Sequence, residues 1–256
     1  MFTVEQRDAL RDHVLRLAQA DERVVAGAVV GSLAFDGGDR FSDLDLTFGI
    51  TDHVLVADVL TDWTRTLGDE LEAVQLFDLE HGPTIYRVFL LPDALQFDLS
   101  MTPAAQFRPA GPRFRLLFGK IAADGSAAPT TPKGLFTAVP TVAQDLFGWG
   151  VVYAVYVRSC IERGRVWQAE HYVGAVRDHA LSLACLREGL PAVEGRGYDH
   201  LSAETLAHFA ETHVGALEPR ALYSALAAAV RALVREGAEA HLPQVETVAQ
   251  RLVDLY

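Results

Sequence analysis

The residues best equipped for chemistry fall in one stretch, Val29 to Gly49, which reads VVGSLAFDGGDRFSDLDLTFG. An apolar run ends at Gly31-Ser32, and ten residues later Asp43-Leu44-Asp45 opens a second apolar run. In an extended strand residues i and i+2 share a face, so Asp43 and Asp45 project together while Leu44 turns toward the core. Two carboxylates this close repel and are costly unless a cation lies between them. Magnesium suits the pair, being hard, oxygen-liganded, and often held by one or two carboxylates together with substrate phosphates. Gly31 lets backbone approach a phosphate with no side chain in the way. Ser32 adds a hydroxyl and an N–H donor where a helix is expected to start, from Leu33 onward. Taken singly, an Asp-x-Asp is usually a solvated pair at a strand end and a Gly-Ser merely a turn. It is their combination within apolar flanks that points to a phosphate and metal site. Asp36 and Asp39 in the Gly-rich stretch between them read as turn formers, and Arg40 and Ser42 as candidate phosphate contacts.

These residues need a scaffold, and the pattern around them supplies one. Thr3 with Gln6 forms a capping-box signature for a helix whose face carries Leu10, Val14 and Leu17. Arg23 to Val30 reads as a buried strand and Leu44 to Phe48 as a second. Asp52 is placed to cap a helix with Leu55, Val56, Val59, Leu60 and Trp63 on its core face. Val74 to Phe77, Thr84 to Leu91 and, after a break at Pro92-Asp93, Leu95 to Leu99 read as three further strands. The segment Ala122 to Gly134 is small, polar and Pro/Gly-rich, as a linker would be. Beyond it nearly everything has helical period: Thr141–Arg163, a turn at Gly164, Val166–Glu188, then Ser202–Thr212, Glu218–Gly237 and Pro243–Leu255. The expected fold class is α+β: a mixed sheet with helices over residues 1–134, and a helical bundle over residues 135–256.

The pattern Gly-Ser, about ten residues, Asp-x-Asp resembles the signature of the DNA polymerase β-like nucleotidyltransferase superfamily. With a helical second half, the chain looks most like the aminoglycoside nucleotidyltransferases. The signature covers about twenty residues, and the looser domain resemblance most of the chain. It implies a third carboxylate on a later strand, which Asp98 in LQFDLS matches best; Asp93 competes but follows the turn residue Pro92. It also implies two magnesium ions held by Asp43, Asp45 and Asp98. An acceptor hydroxyl would attack the α-phosphate of ATP or another nucleoside triphosphate, with pyrophosphate leaving. Asp98 would hold the ion nearer the acceptor and help take its proton.

In the helical half, Val166, Ala169, Val173, Val176, Ala180 and Leu183 form one apolar stripe. On the same helix Glu170 and Arg177 fall about 20° apart and Trp167 within about 80° of either. That face is expected to line a substrate cleft. By the same resemblance Glu170 is a candidate acceptor-binding residue or general base; Arg177, from its place on that face, is a candidate nucleotide contact. An ordinary salt-bridged surface face is the competing reading. The tract GRGYDHL, Gly195 to Leu201, offers Arg196, Tyr198 and His200 as a binding loop or a plain connection.

Composition excludes several classes. Over 256 residues, 22 Lys and Arg against 34 Asp and Glu leave a formal charge of −12, which disfavours nucleic acid as a partner and suits a cationic one. No apolar run approaches the ~18–20 residues of a membrane span, and the N-terminus MFTVEQRDALRDH lacks the apolar centre of a secretory signal. Cys160 and Cys185 make neither a disulfide framework nor a zinc pattern. A cytoplasmic enzyme transferring a nucleoside monophosphate to a small, hydroxylated, aminoglycoside-like acceptor is the expectation. A protein-modifying enzyme of toxin–antitoxin type and a non-catalytic nucleotide sensor are its rivals. The acceptor, the base and the oligomeric state are not legible.

Overall fold

The first helix, α1 (Val4–Ala20), begins where its capping box requires. The Thr3 hydroxyl accepts from the Gln6 N–H at 3.2 Å, and the Gln6 carboxamide oxygen accepts from the Thr3 N–H at 2.6 Å. Two otherwise orphaned donors are satisfied, a device worth about 1 kcal/mol. Leu10, Val14 and Ala18 are buried on its inner face, while Leu17 is only partly covered.

The structure, a computed structural model, describes residues 2–35, 38–109, 111–122 and 143–256. The chain divides into two units, Met1–Ala138 and Val139–Tyr256. The expected boundary at 134/135, and the expected linker beyond Ala122, lie outside the described residues.

Among the described residues of the first unit are six strands in one mixed sheet: β1 (Val24–Val30), β2 (Leu44–Ile50), β3 (Val74–His81), β4 (Thr84–Leu90), β5 (Gln96–Pro103) and β6 (Phe114–Phe118). Their order is β3-β4-β5-β2-β1-β6. The central pair, β2 and β5, runs parallel, with Leu44 opposite Phe97, Asp45 opposite Asp98 and Leu46 opposite Leu99; every other neighbouring pair is antiparallel. Alternation sorts these strands. Leu44, Leu46, Phe48 and Ile50 from β2, with Phe97, Leu99 and Met101 from β5, pack in one core with α1 and with α2 (Val56–Leu71). Full burial of each large side chain contributes roughly 1.5–3 kcal/mol. Asp45 and Asp98, at the intervening positions, therefore emerge on the opposite face.

Expectations for α2 and for the number of strands change at three points. Leu55 is not on the core face of α2; it occupies the N-cap position, outside the helical repeat, and is 70% exposed. Asp52 does not cap α2; its carboxylate accepts from the Ala105 N–H at 3.2 Å instead. The sheet has one more strand than the sequence pattern gives, because β6 is a short edge strand with no buried residue, defined by its pairing with β1.

The second unit is helical: α3 (Ala143–Glu162), α4 (Val166–Arg187), α5 (Ala203–Ala207), α6 (Pro219–Glu239) and α7 (Val245–Leu252). Thr141, the expected start of α3, lies outside the described residues. Gly164, at φ +68°, makes the turn between α3 and α4, and α4 packs against both α3 and α6. Ala169, Val173, Val176, Ala180 and Leu183 are buried as the stripe predicts, whereas Val166 in the first turn is half-buried. Ser202 caps α5, accepting from the Thr205 N–H at 3.1 Å. That helix ends at Ala207 rather than running to Thr212, and a 3-10 turn, Ala210–Thr212, follows. The Thr212 hydroxyl bonds the Phe209 carbonyl there at 2.7 Å, the local side-chain competition with helix that threonine offers. Both cysteines are buried free thiols. No helix among the described residues is long and apolar enough to cross a membrane. The fold class is α+β.

Candidate functional site

The parallel register of β2 and β5 makes Asp45 and Asp98 direct neighbours, and Asp43 stands one residue ahead of β2. Oxygen atoms of all three carboxylates lie within 4.8 Å of one another, each residue being half-buried. The electrostatic cost shows in their acidity. Burial, then the charge of Asp43, then that of Asp98, raise Asp45 well above the usual carboxylate range. Burial and then Asp43 push Asp98 up to about 7, with the Gln96 side chain opposing the rise. Like charges held this closely call for a counter-cation.

The turn after β1 closes one side of this cluster. Gly31 has φ +68°, and a Cβ there would lie 2.2 Å from an Asp45 carboxylate oxygen. Only glycine allows both the backbone conformation and the approach. The neighbouring Ser32 hydroxyl is buried and without a hydrogen-bond partner among the described residues, a costly state for a polar atom that a ligand oxygen would relieve. The α-helix expected from Leu33 does not form. Gly31–Phe35 is a five-residue 3-10 turn, too short to carry the aligned dipoles of an α-helical anion site. Three carboxylates, an orphaned hydroxyl and a glycine turn that comes up against Asp45 fit a hard divalent cation with oxygen ligands.

The loop between holds the other candidates. The Asp39 carboxylate accepts from the Phe41 N–H at 3.0 Å and the Ser42 hydroxyl at 3.1 Å, while its own N–H donates to the Ser42 hydroxyl at 3.0 Å. Asp39 is thus the turn former expected; Asp36 lies outside the described residues. Ser42 is 5% exposed with its hydroxyl engaged in this turn. Arg40 is exposed, its guanidinium 4.4 Å from the centre of the Phe41 ring.

Glu170 and Arg177 lie on α4 in the second unit, both half-buried. The Arg177 guanidinium is 3.5 Å from Asp178, and Trp167 is 73% exposed. In the loop tract, the Tyr198 hydroxyl donates to the Asp178 carbonyl at 2.9 Å and lies 3.1 Å from the Ser182 hydroxyl, tying the loop to α4. Arg196 and His200 are exposed, Arg196 paired with Glu194 at 2.6 Å.

Sequence reasoning passed over Gln96. It is 3% exposed, and its side-chain amide donates to an Asp98 carboxylate oxygen at 2.9 Å. The i, i+2 spacing to Asp98 puts the two on one face of the strand, but nothing in the sequence shows that the amide is buried or that it bonds the carboxylate.

Among solved structures the chain is similar to an aminoglycoside 6-adenyltransferase from Bacillus subtilis, with 13% identity over 100% of this chain and 99% of that one and a TM-score of 0.35. At that score the likeness is too loose to rest a function on. No protein-family model matches the chain, and no curated protein matches it.

Proposed function

We propose that the chain is a metal-dependent nucleotidyltransferase that moves a nucleoside monophosphate, AMP from ATP, to a hydroxyl of a small acceptor. The observation that carries this reading is the convergence of Asp43, Asp45 and Asp98 within 4.8 Å, against a glycine whose Cβ would strike Asp45. In this reading residues 1–134 are the catalytic domain and 135–256 the helical substrate-binding domain.

Asp43, Asp45 and Asp98 would hold the divalent cations, two magnesium ions in the full arrangement. Bound there, magnesium neutralises phosphate charge and lowers the pKa of a hydroxyl nucleophile. Gly31 lets the turn backbone approach the triphosphate without a side chain of its own, and the orphaned Ser32 hydroxyl donates to a phosphate oxygen. Arg40, exposed beside this turn, and Arg177 are proposed phosphate contacts, and Ser42 acts by holding the loop. The acceptor oxygen bonds to the α-phosphorus as the bond to the bridging oxygen breaks, and pyrophosphate leaves. Asp98, oriented by Gln96, is placed to receive the acceptor's proton; Glu170 is the alternative base or an acceptor-binding residue. An acidic chain suits a cationic, aminoglycoside-like acceptor.

The test is transfer from α-labelled ATP to aminoglycosides, other hydroxylated small molecules and proteins, with magnesium and with chelator. Transfer to a small molecule in magnesium alone, lost by about 1,000-fold or more in Asp45→Asn with its fold retained, is expected. Equal stabilisation by ATP in chelator and in magnesium would count decisively against the metal site.

A further inference from the structure

Of the three carboxylates, two are located by the sheet and one is not. Asp45 and Asp98 are register partners inside the β2–β5 ladder, which begins at Leu44 opposite Phe97. Asp43 precedes that ladder, so its position depends on the loop that delivers the chain into β2. That loop is gripped from α1. Arg7 is 4% exposed, and one nitrogen of its guanidinium donates to the carbonyl of Asp39 at 2.6 Å and to that of Ser42 at 3.1 Å. Its Nε is buried without a hydrogen bond among the described residues and lies 3.8 Å from the Asp8 carboxylate. A buried guanidinium costs several kcal/mol in lost hydration unless fixed partners replace the water. Here the partners include two main-chain carbonyls, the second belonging to the residue bonded to Asp43.

We infer that Arg7 is a positioning residue for the metal site: it fixes the 39–42 turn and through it sets where the Asp43 carboxylate sits relative to Asp45 and Asp98. Arg7 itself touches neither cation nor substrate. This role rests on the metal-site reading above. Arg23 donates to carboxylates, whereas Arg7 donates to two main-chain oxygens and so holds a path of the chain. A lysine nitrogen has donors enough for both carbonyls, but it is carried on a more flexible stem without the planar group that restricts the guanidinium, so it holds the turn less tightly.

Mn2+ binding to the full chain, followed by the loss of the free-ion electron paramagnetic resonance signal, tests this. The variants are Arg7→Met, Arg7→Lys, Asp45→Asn and Arg23→Met. Arg23 serves as the control because it is an ion-paired arginine at the opposite end of β1 from Gly31. The expected result is Mn2+ affinity about tenfold lower in Arg7→Met, the scale of outer ligand-orienting residues. An intermediate loss is expected in Arg7→Lys, and none in Arg23→Met despite its lowered Tm. Arg7→Met with wild-type affinity, or with no more loss than Arg23→Met, overturns the role. If Arg7→Met does not fold, Arg7→Lys decides: weakened binding supports the role and wild-type binding overturns it. A wild-type chain that binds Mn2+ no better than Asp45→Asn overturns the metal-site reading itself, which is a separate result.

Discussion

The two ends of β1 each gather carboxylates, and they handle the charge in opposite ways. At the start of the strand, Arg23 lies between Asp21, at 2.9 Å, and Asp62, at 2.8 Å, with the Trp63 indole N–H donating to Asp21 at 2.9 Å. Burial pushes Asp21 upward, but the bonds from Arg23 and Trp63 outweigh it and leave the group below the usual carboxylate range. At the far end, burial and neighbouring carboxylates raise both Asp45 and Asp98. One cluster carries its cation as a side chain, and its charge is settled when the chain folds. The other is assembled in the same sheet and arranged as a divalent ion would need it, with the Asp45 carboxylate against Gly31. A permanent cation makes a strut, whereas an exchangeable one makes a site that responds to its surroundings.

The largest effect that could break this contrast is expected from Gly31→Ala. The new Cβ would meet Asp45 at 2.2 Å while the backbone holds φ +68°. The strain costs about 1–3 kcal/mol, and displacement of Asp45 lowers Mn2+ affinity on the order of 10- to 100-fold. Calorimetric titration checks it, and a Gly31→Ala chain that binds Mn2+ like wild type would remove the distinction between the two ends.

The next effect is in the pH dependence, where the two ends have opposite signs. A carboxylate whose folded pKa is raised binds its proton more tightly in the folded state than in the unfolded one. In chelator, Asp45 and Asp98 therefore contribute stability below the ordinary carboxylate range, and lose it as pH rises through about 7 at Asp98. Asp21, whose pKa is lowered, contributes above that range and loses its share only on acidification. Tm in chelator should then fall between pH 5 and pH 8, less so in Asp98→Asn, and added Mn2+ should restore it at pH 8. A profile that is flat, or unchanged by Asp98→Asn, contradicts the assignment.

The smallest effect sharpens the other side. Arg23→Met should lower stability by about 1 kcal/mol, since the Arg23 side chain is one-third exposed and its ion pairs are partly screened. Urea midpoints measure this. A loss of Mn2+ affinity in the same variant would mean that the two ends are coupled through β1 and are not separate designs.

Much of the first unit could be read in advance because its signals are local. Thr3 and Gln6 write the start of α1 within four residues, and Leu44 between two aspartates states which face of β2 is buried. Asp98 was reachable only through the family resemblance, since pairing of two distant strands leaves no mark in a spacing. The edge strand β6 was illegible for a related reason: its interior, Arg115–Leu117, is exposed and shows no alternation, and pairing with β1 defines the strand. Leu55 misled because an apolar residue at an N-cap continues a helical stripe in sequence although it precedes the helix in space. Arg7 and Gln96 carried no motif; their meaning lies in what they touch.

The parallel pairing of β2 with β5 has one more consequence, for misfolding. Side chains alternate along a strand, so a slip of one residue would turn Asp98 into the apolar layer of Leu46 and Phe48 and push Phe97 and Leu99 out of it. Burying an unpaired carboxylate there would cost several kcal/mol, and each expelled side chain would forfeit roughly 1.5–3 kcal/mol. Asp98 thus acts as a pin against mispairing during folding, whether or not any ion is present. A serine or alanine in its place would remove the carboxylate's share of that penalty and leave the share of the expelled side chains.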